Sequence, residues 1–131
     1  MKSSLITAER ISPNRNSPRN HKIDRPTIHC FVGQVTAEQG IAAFASPSRK
    51  ASCNYVVGCD GSVGLCVPEG DRSWCSSSPS NDHRAITIEV ASNTTYPYAV
   101  TDKAMNALLD LVEDICRRNG KRRLVGFGDK A

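Results

Sequence analysis

Apolar positions recur along this chain with two periods, and stretches of the two kinds take turns. Thr27 to Val32 is a short apolar run directly after Pro26 and reads as a strand. Thr36 then caps a predicted helix through Glu38, Ile41, Ala42 and Phe44 to about Ala45, stopped before Pro47. Two β-rich runs, Cys53 to Cys59 and Ser62 to Val67, flank Asp60-Gly61, the residue pair of a two-residue hairpin turn. That register sets Cys59 opposite Ser62 and Tyr55 opposite Cys66. A Ser- and Pro-rich loop from Pro68 to Asp82 follows, and Arg84 to Ala91 is a further strand. In it Ile86, Ile88 and Val90 alternate with Thr87 and Glu89, so Glu89 points away from the Ile/Val face.

The one long helix begins at the N-cap candidate Thr101, with Asp102 in its first turn. Ala104, Met105, Leu108, Leu109, Val112, Ile115 and Cys116 form its apolar stripe, Arg117 and Arg118 suit its C-terminal dipole, and Gly120 ends it. Arg122 to Gly126 reads as the start of another strand. Strand, helix, hairpin, strand, helix, strand specifies an α/β domain with a mixed central sheet flanked by helices. The pattern leaves the strand order open.

With 131 residues there is room for one domain, and no apolar run is long enough to cross a membrane. The net charge of +4 belongs entirely to residues 1–28, where six basic residues face Glu9 and Asp24. Together with Pro13, Pro18, Pro26 and the run from Ser12 to Asn20, this describes a basic, partly extended and solvated arm over residues 1–25, ahead of a domain over 26–131. Basic residues without interleaved aromatics argue against a nucleic-acid partner, and nothing points to a membrane. No apolar segment follows Lys2, so the expectation is synthesis in the cytoplasm without a signal peptide. Cys53 and Cys59 sit roughly 20 Å apart on one strand, too far for a disulfide, and no Cys-x-x-Cys occurs. The six cysteines therefore read as free or buried thiols.

Three residues stand out chemically. His29 is an unexpected imidazole in the run Thr27-Ile28-His29-Cys30-Phe31, either a satisfied core residue or a ligand. Glu89 is a carboxylate inside an apolar strand, either solvated or available for acid–base work. His83, in Asn81-Asp82-His83-Arg84, reads as a loop histidine.

Several segments taken together carry a resemblance. They are Ile28-His29-Cys30; Thr36-Ala37-Glu38-Gln39 opening a helix that ends at Phe44; Ala51 through Gly61; Val67-Pro68-Glu69 with Arg72-Ser73-Trp74; and Asn81-Asp82 ahead of Ile86-Thr87-Ile88-Glu89-Val90. In this order and spacing, over about residues 26–126, the chain resembles the zinc-dependent N-acetylmuramoyl-L-alanine amidases of the type-2 group, relatives of peptidoglycan recognition proteins and of phage endolysins. The resemblance implies zinc as cofactor, bacterial cell-wall peptidoglycan as partner, and hydrolysis of the amide between N-acetylmuramic acid and L-alanine after release of the protein to the wall. It makes His29 the first zinc ligand and Glu89 the general base or the residue that orients the water. Asn54, Trp74 and Cys75 fall at substrate-binding positions.

The chain departs from the family at two of these. Cys53-Asn54 stands where many members have a residue followed by His, and Trp74-Cys75 where many read Trp-His. The family's second histidine and third ligand follow its last strand, past Gly126-Phe127-Gly128, which implies that they lie beyond Ala131 and that this chain lacks the C-terminal part of the family domain. On that footing little turnover and weak zinc binding are expected. The alternative is a non-catalytic muropeptide-binding module of the same fold, and a substitute site from His29, His83 and a cysteine is a further arrangement.

Overall fold

In a computed structural model, residues 1–126 are described. Seven strands and three helices follow in chain order: β1 (Ala8–Glu9), β2 (Arg15–Asn16), β3 (Arg25–Cys30), α1 (Ala37–Ala42), β4 (Tyr55–Val57), β5 (Val63–Leu65), β6 (Arg72–Ser73), α2 (Pro79–Arg84), β7 (Ala85–Val90) and α3 (Asp102–Arg118). Five strands form the central sheet in the order β1-β5-β4-β7-β3, and β2 pairs with β6 in a small antiparallel ribbon. β7 lies parallel to both β3 and β4, whereas β4 and β5 are antiparallel. The mixed α/β architecture is the one the element pattern specifies.

The two faces of the sheet carry different loads. Tyr55, Val57, Val63, Leu65, Ile86, Ile88 and Val90 pack against Ala104, Leu108, Leu111 and Ile115 of α3. On the other face Val56, Cys53, Cys66 and Val67 pack against Ile41 and Phe44 of α1 and its C-terminal extension. Gly40 lets α1 approach β4 closely, since a Cβ there would sit 2.5 Å from a methyl of Val56. Burying a side chain the size of Ile86 or Leu111 stabilises the fold by about 1.5–3 kcal/mol.

Thr36 caps α1 as its sequence indicates: its side chain accepts from the Gln39 N–H while the Gln39 side chain accepts from the Thr36 N–H. α1 ends at Ala42, earlier than the apolar pattern suggests, and a short 3₁₀ turn, Pro47–Arg49, follows. Thr101 caps α3, and Gly120, at φ +68°, ends it. The buried stripe of α3 is rotated from the predicted one. Leu111 is fully buried, while Met105 and Leu109 are 41% and 60% exposed, because positions 104, 108, 111 and 115 are the ones that face the sheet.

The hairpin register differs by one residue from the expected one. Tyr55 faces Leu65 and Val57 faces Val63, which leaves Cys59-Asp60-Gly61 as a three-residue loop with Gly61 at φ +83°. Residues 68–82 are not all loop, since they contain β6 and most of α2, and Ser78 caps α2 by accepting from the Asn81 N–H. Arg122 to Gly126 carries no strand. The expected continuation through Phe127 lies outside the described residues.

The arm over residues 1–25 is extended and largely exposed, but it is anchored to the domain along its length. β1 runs beside β5, β2 beside β6, and Ser3, Ser12 and Asn14 are buried. Its basic residues are partly structural. The Arg19 guanidinium donates to the carbonyl oxygens of Glu69, Asp71, Asp82, His83 and Ala85, tying the loop after β5, α2 and the start of β7 together around one planar fork. At the other end the Ser3 N–H donates to the Tyr55 hydroxyl, which in turn donates to the buried carboxylate of Glu69. Arg118 of α3 closes this network with bonds of 3.0 and 2.8 Å to the two Glu69 oxygens. All six cysteines are free thiols.

Candidate metal and active site

Parallel pairing of β3 with β7 sets His29 directly opposite Glu89. Side chains alternate across a strand, so both leave the α3 face with its Ile86, Ile88 and Val90 and emerge on the face that carries α1. The loop between β6 and α2 adds Cys75 there. One ligand atom from each of His29, Cys75 and Glu89 lies within 4.8 Å of the other two. The Cys75 Sγ is 3.6 Å from Glu89 Oε1, to which it donates.

Two buried polar groups fix Cys75. The carboxylate of Asp82, fully buried at the start of α2, accepts from the N–H groups of Cys75 and Ser76, each at 3.1 Å, and from the Ser76 hydroxyl at 2.6 Å. Ahead of it the Trp74 N–H donates to Ser52 Oγ at 3.0 Å, and the Trp74 indole N–H donates to Asn16 Oδ1 at 2.8 Å. Asn16, in the arm, thereby sets the orientation of the indole. Asp82 was legible only as part of Asn81-Asp82; its anchoring role depends on the turn that α2 makes, which a loop reading does not supply.

His29 Nε2 is buried and has no hydrogen-bond partner, one of two such side-chain atoms among the described residues. An unpartnered imidazole nitrogen, a thiol and a carboxylate so close together form a mixed N/S/O donor set of the kind zinc accepts, so the residues present fit a zinc ion. Burial pushes the Glu89 carboxyl above its ordinary value, and the charge of His29, the Cys75 hydrogen bond and Arg49 oppose that shift without cancelling it. Burial also pushes the Cys75 thiol well up, with the charges of Glu89 and Asp82 adding to the effect. Both groups hold their protons more tightly than in water.

The remaining candidate residues take different positions. Asn54 is fully buried, its amide N–H group donating to the Val67 and Pro68 carbonyls and its Oδ1 accepting from the Thr87 N–H. It is a core residue joining β4, β7 and the loop after β5. His83 sits in α2 with Nδ1 accepting from the Asn20 N–H, outside the His29 cluster. Trp74 is half-buried beside Cys75. The positions at which the resemblance places the second and third zinc ligands lie outside the described residues, and Cys75, expected as a substrate contact, stands with His29 and Glu89.

A family profile described as N-acetylmuramoyl-L-alanine amidase matches residues 19–128. The chain belongs to this amidase family. No curated protein matches the sequence. Among solved structures, a mutant endolysin from Bacillus subtilis shares the amidase fold at TM-score 0.71 and 16% identity, over 90% of this chain and 80% of that one. The N-acetylmuramoyl-L-alanine amidase LysC from Clostridium intestinale URNW gives 0.62 at 17% identity, over 86% and 78% of the two chains. Drosophila peptidoglycan recognition protein SA gives 0.62 at 17% identity, over 83% and 66%. At such identities the structures establish a shared amidase fold, while the profile establishes the amidase family.

Proposed function

We propose that the protein is a zinc-dependent peptidoglycan hydrolase that cleaves the amide between N-acetylmuramic acid and L-alanine of the stem peptide, in the manner of an endolysin. The observation that carries this reading is the buried, unpartnered Nε2 of His29 placed opposite Glu89 within a chain of the amidase family.

His29 would hold the metal through its unpartnered Nε2, with Cys75 the adjoining donor and Glu89 beside them as the proton-transfer group. Zinc, when bound, supplies polarisation of the scissile carbonyl and a water of lowered pKa. Glu89 accepts the proton of the attacking water at a carboxylate oxygen and returns it to the departing amide nitrogen. A carboxyl raised by burial suits both halves of that transfer. Trp74, held by Asn16, offers a flat face to the sugar or the stem peptide. Six free thiols are in keeping with synthesis in the reducing cytoplasm, the protein meeting the wall on release.

Purified cell walls incubated with the zinc-loaded protein should yield new N-terminal L-alanine, and chelator or His29→Ala should abolish it. Product release that persists in His29→Ala overturns the reading. A second reading, a muropeptide-binding module without hydrolysis, is favoured by one feature: His29 is the sole imidazole in the site among the described residues. Titration with a muramyl peptide separates the two, since binding without new amino termini is the module's signature.

A further inference from the structure

We propose that Cys75 is a metal ligand, and that its ligation releases Glu89 for proton transfer. The inference rests on the metal-dependent reading of the site and assigns the second protein ligand within the chain itself, at a position where the resemblance implies only a substrate contact.

Position carries the argument. Of the six cysteines, Cys75 alone has its sulfur within 4.8 Å of a His29 ring nitrogen and a Glu89 carboxylate oxygen, and His29 Nε2 has no hydrogen-bond partner. Cys53 and Cys66 are fully buried in the core on the α1 side of the sheet. Cys30, next to His29 in β3, projects to the opposite face of the sheet. The Cys75 backbone is also immobilised on both sides, by Asp82 on one and by Ser52 with Trp74 on the other, so the sulfur is aimed before any ion arrives. A thiol so fixed, whose hydrogen points at a carboxylate, is ready for exchange of that proton for a metal.

The exchange balances simply. The S–H bond of Cys75 breaks, a sulfur–metal bond forms, and the proton passes to solvent; nothing is oxidised or reduced. Glu89 Oε1 thereby loses its hydrogen-bond donor and becomes free to accept from water. His29 and Cys75 are the protein ligands, and Glu89 is left outside the coordination set as the base.

Cobalt(II) replaces zinc as the probe in the full chain. One equivalent should bind and give a thiolate-to-cobalt charge-transfer absorption in the near ultraviolet. The band should vanish in Cys75→Ser and persist in Cys30→Ser and Glu89→Gln. In His29→Ala cobalt retention should fall by at least the roughly 10- to 100-fold typical of losing an outer partner of a metal site. As a check that needs no variant, cobalt should protect Cys75 of the unaltered protein from alkylation while Cys30 still reacts, read by peptide mass spectrometry. Failure to bind cobalt, binding without the band, or a band that survives Cys75→Ser overturns the inference. Cell-wall hydrolysis distinguishes it from the functional reading: a Cys75→Ser protein that retains cobalt and cleaves at the original rate sinks the ligand role alone. A wild-type band with no product sinks the amidase reading alone.

Discussion

His29 faces Glu89 across the β3–β7 pairing, six residues in register from Arg25 opposite Ala85 to Cys30 opposite Val90. Because β7 is the inner strand of the two, Glu89 is anchored by pairing on both sides, with Val56 of β4 its neighbour on the other flank. The two side chains therefore share a face by backbone geometry alone. Replacing Glu89 with Gln keeps shape and removes the proton acceptor. Turnover should fall about 10²- to 10⁴-fold with little change in KM and an unaltered circular dichroism spectrum. A Glu89→Gln protein of normal turnover would show that the carboxylate takes no part.

Asn54 belongs to the core, which separates its mutant from those of the site. Asn54→Ala leaves the Thr87 N–H and the Val67 and Pro68 carbonyls without their partner, at a cost of about 2–4 kcal/mol. Urea unfolding should show a lowered midpoint with an unchanged slope. Full stability with loss of muramyl-peptide affinity would instead make Asn54 a substrate contact.

The arm is tested through Arg19. Arg19→Lys keeps the charge and loses the fork that serves five carbonyl oxygens, and should cost about 2–3 kcal/mol in the same unfolding experiment. A solvated arm would leave stability unchanged.

Acid stability should depend on Asp24. Its hydrogen bond with Arg84, aided by Arg25, holds the carboxyl below its ordinary value of 3.8, against a smaller opposing effect of burial. A carboxyl lowered by folding contributes stability that is present above its unfolded pKa of about 3.9 and lost as pH falls through the folded value. Thermal unfolding below about pH 4 should thus be less steeply pH-dependent in Asp24→Asn than in the parent, while the variant is less stable at pH 7. Identical acid slopes would remove Asp24 from the account.

What was legible in the sequence follows from range. Thr36 with Gln39, Thr101 with Asp102, and the alternation of Ile86, Ile88 and Val90 are local patterns, and the elements they specify are present. His29 and Glu89 were readable as chemistry because an imidazole and a carboxylate interrupt apolar strands. Arg19 is not, since a basic residue between prolines looks solvated until backbone carbonyls 50 to 66 positions away reach it. The grouping of Cys75 with His29 and Glu89 is not legible in the sequence, because these partners lie 46 and 14 positions away in the chain and meet it only through the turn anchored by Asp82. The one-residue shift of the hairpin shows the same limit: Asp60-Gly61 marks a turn, but Gly61 alone takes the positive φ, and a three-residue loop results.

The most direct measurement is the appearance of N-terminal L-alanine in purified cell walls treated with the zinc-loaded protein, quantified by end-group labelling beside His29→Ala and Glu89→Gln. The account predicts new alanine termini with the parent protein and background levels with both variants. Walls that gain no alanine termini from the zinc-loaded parent, while a muramyl peptide still binds it, would contradict the account and leave a binding module.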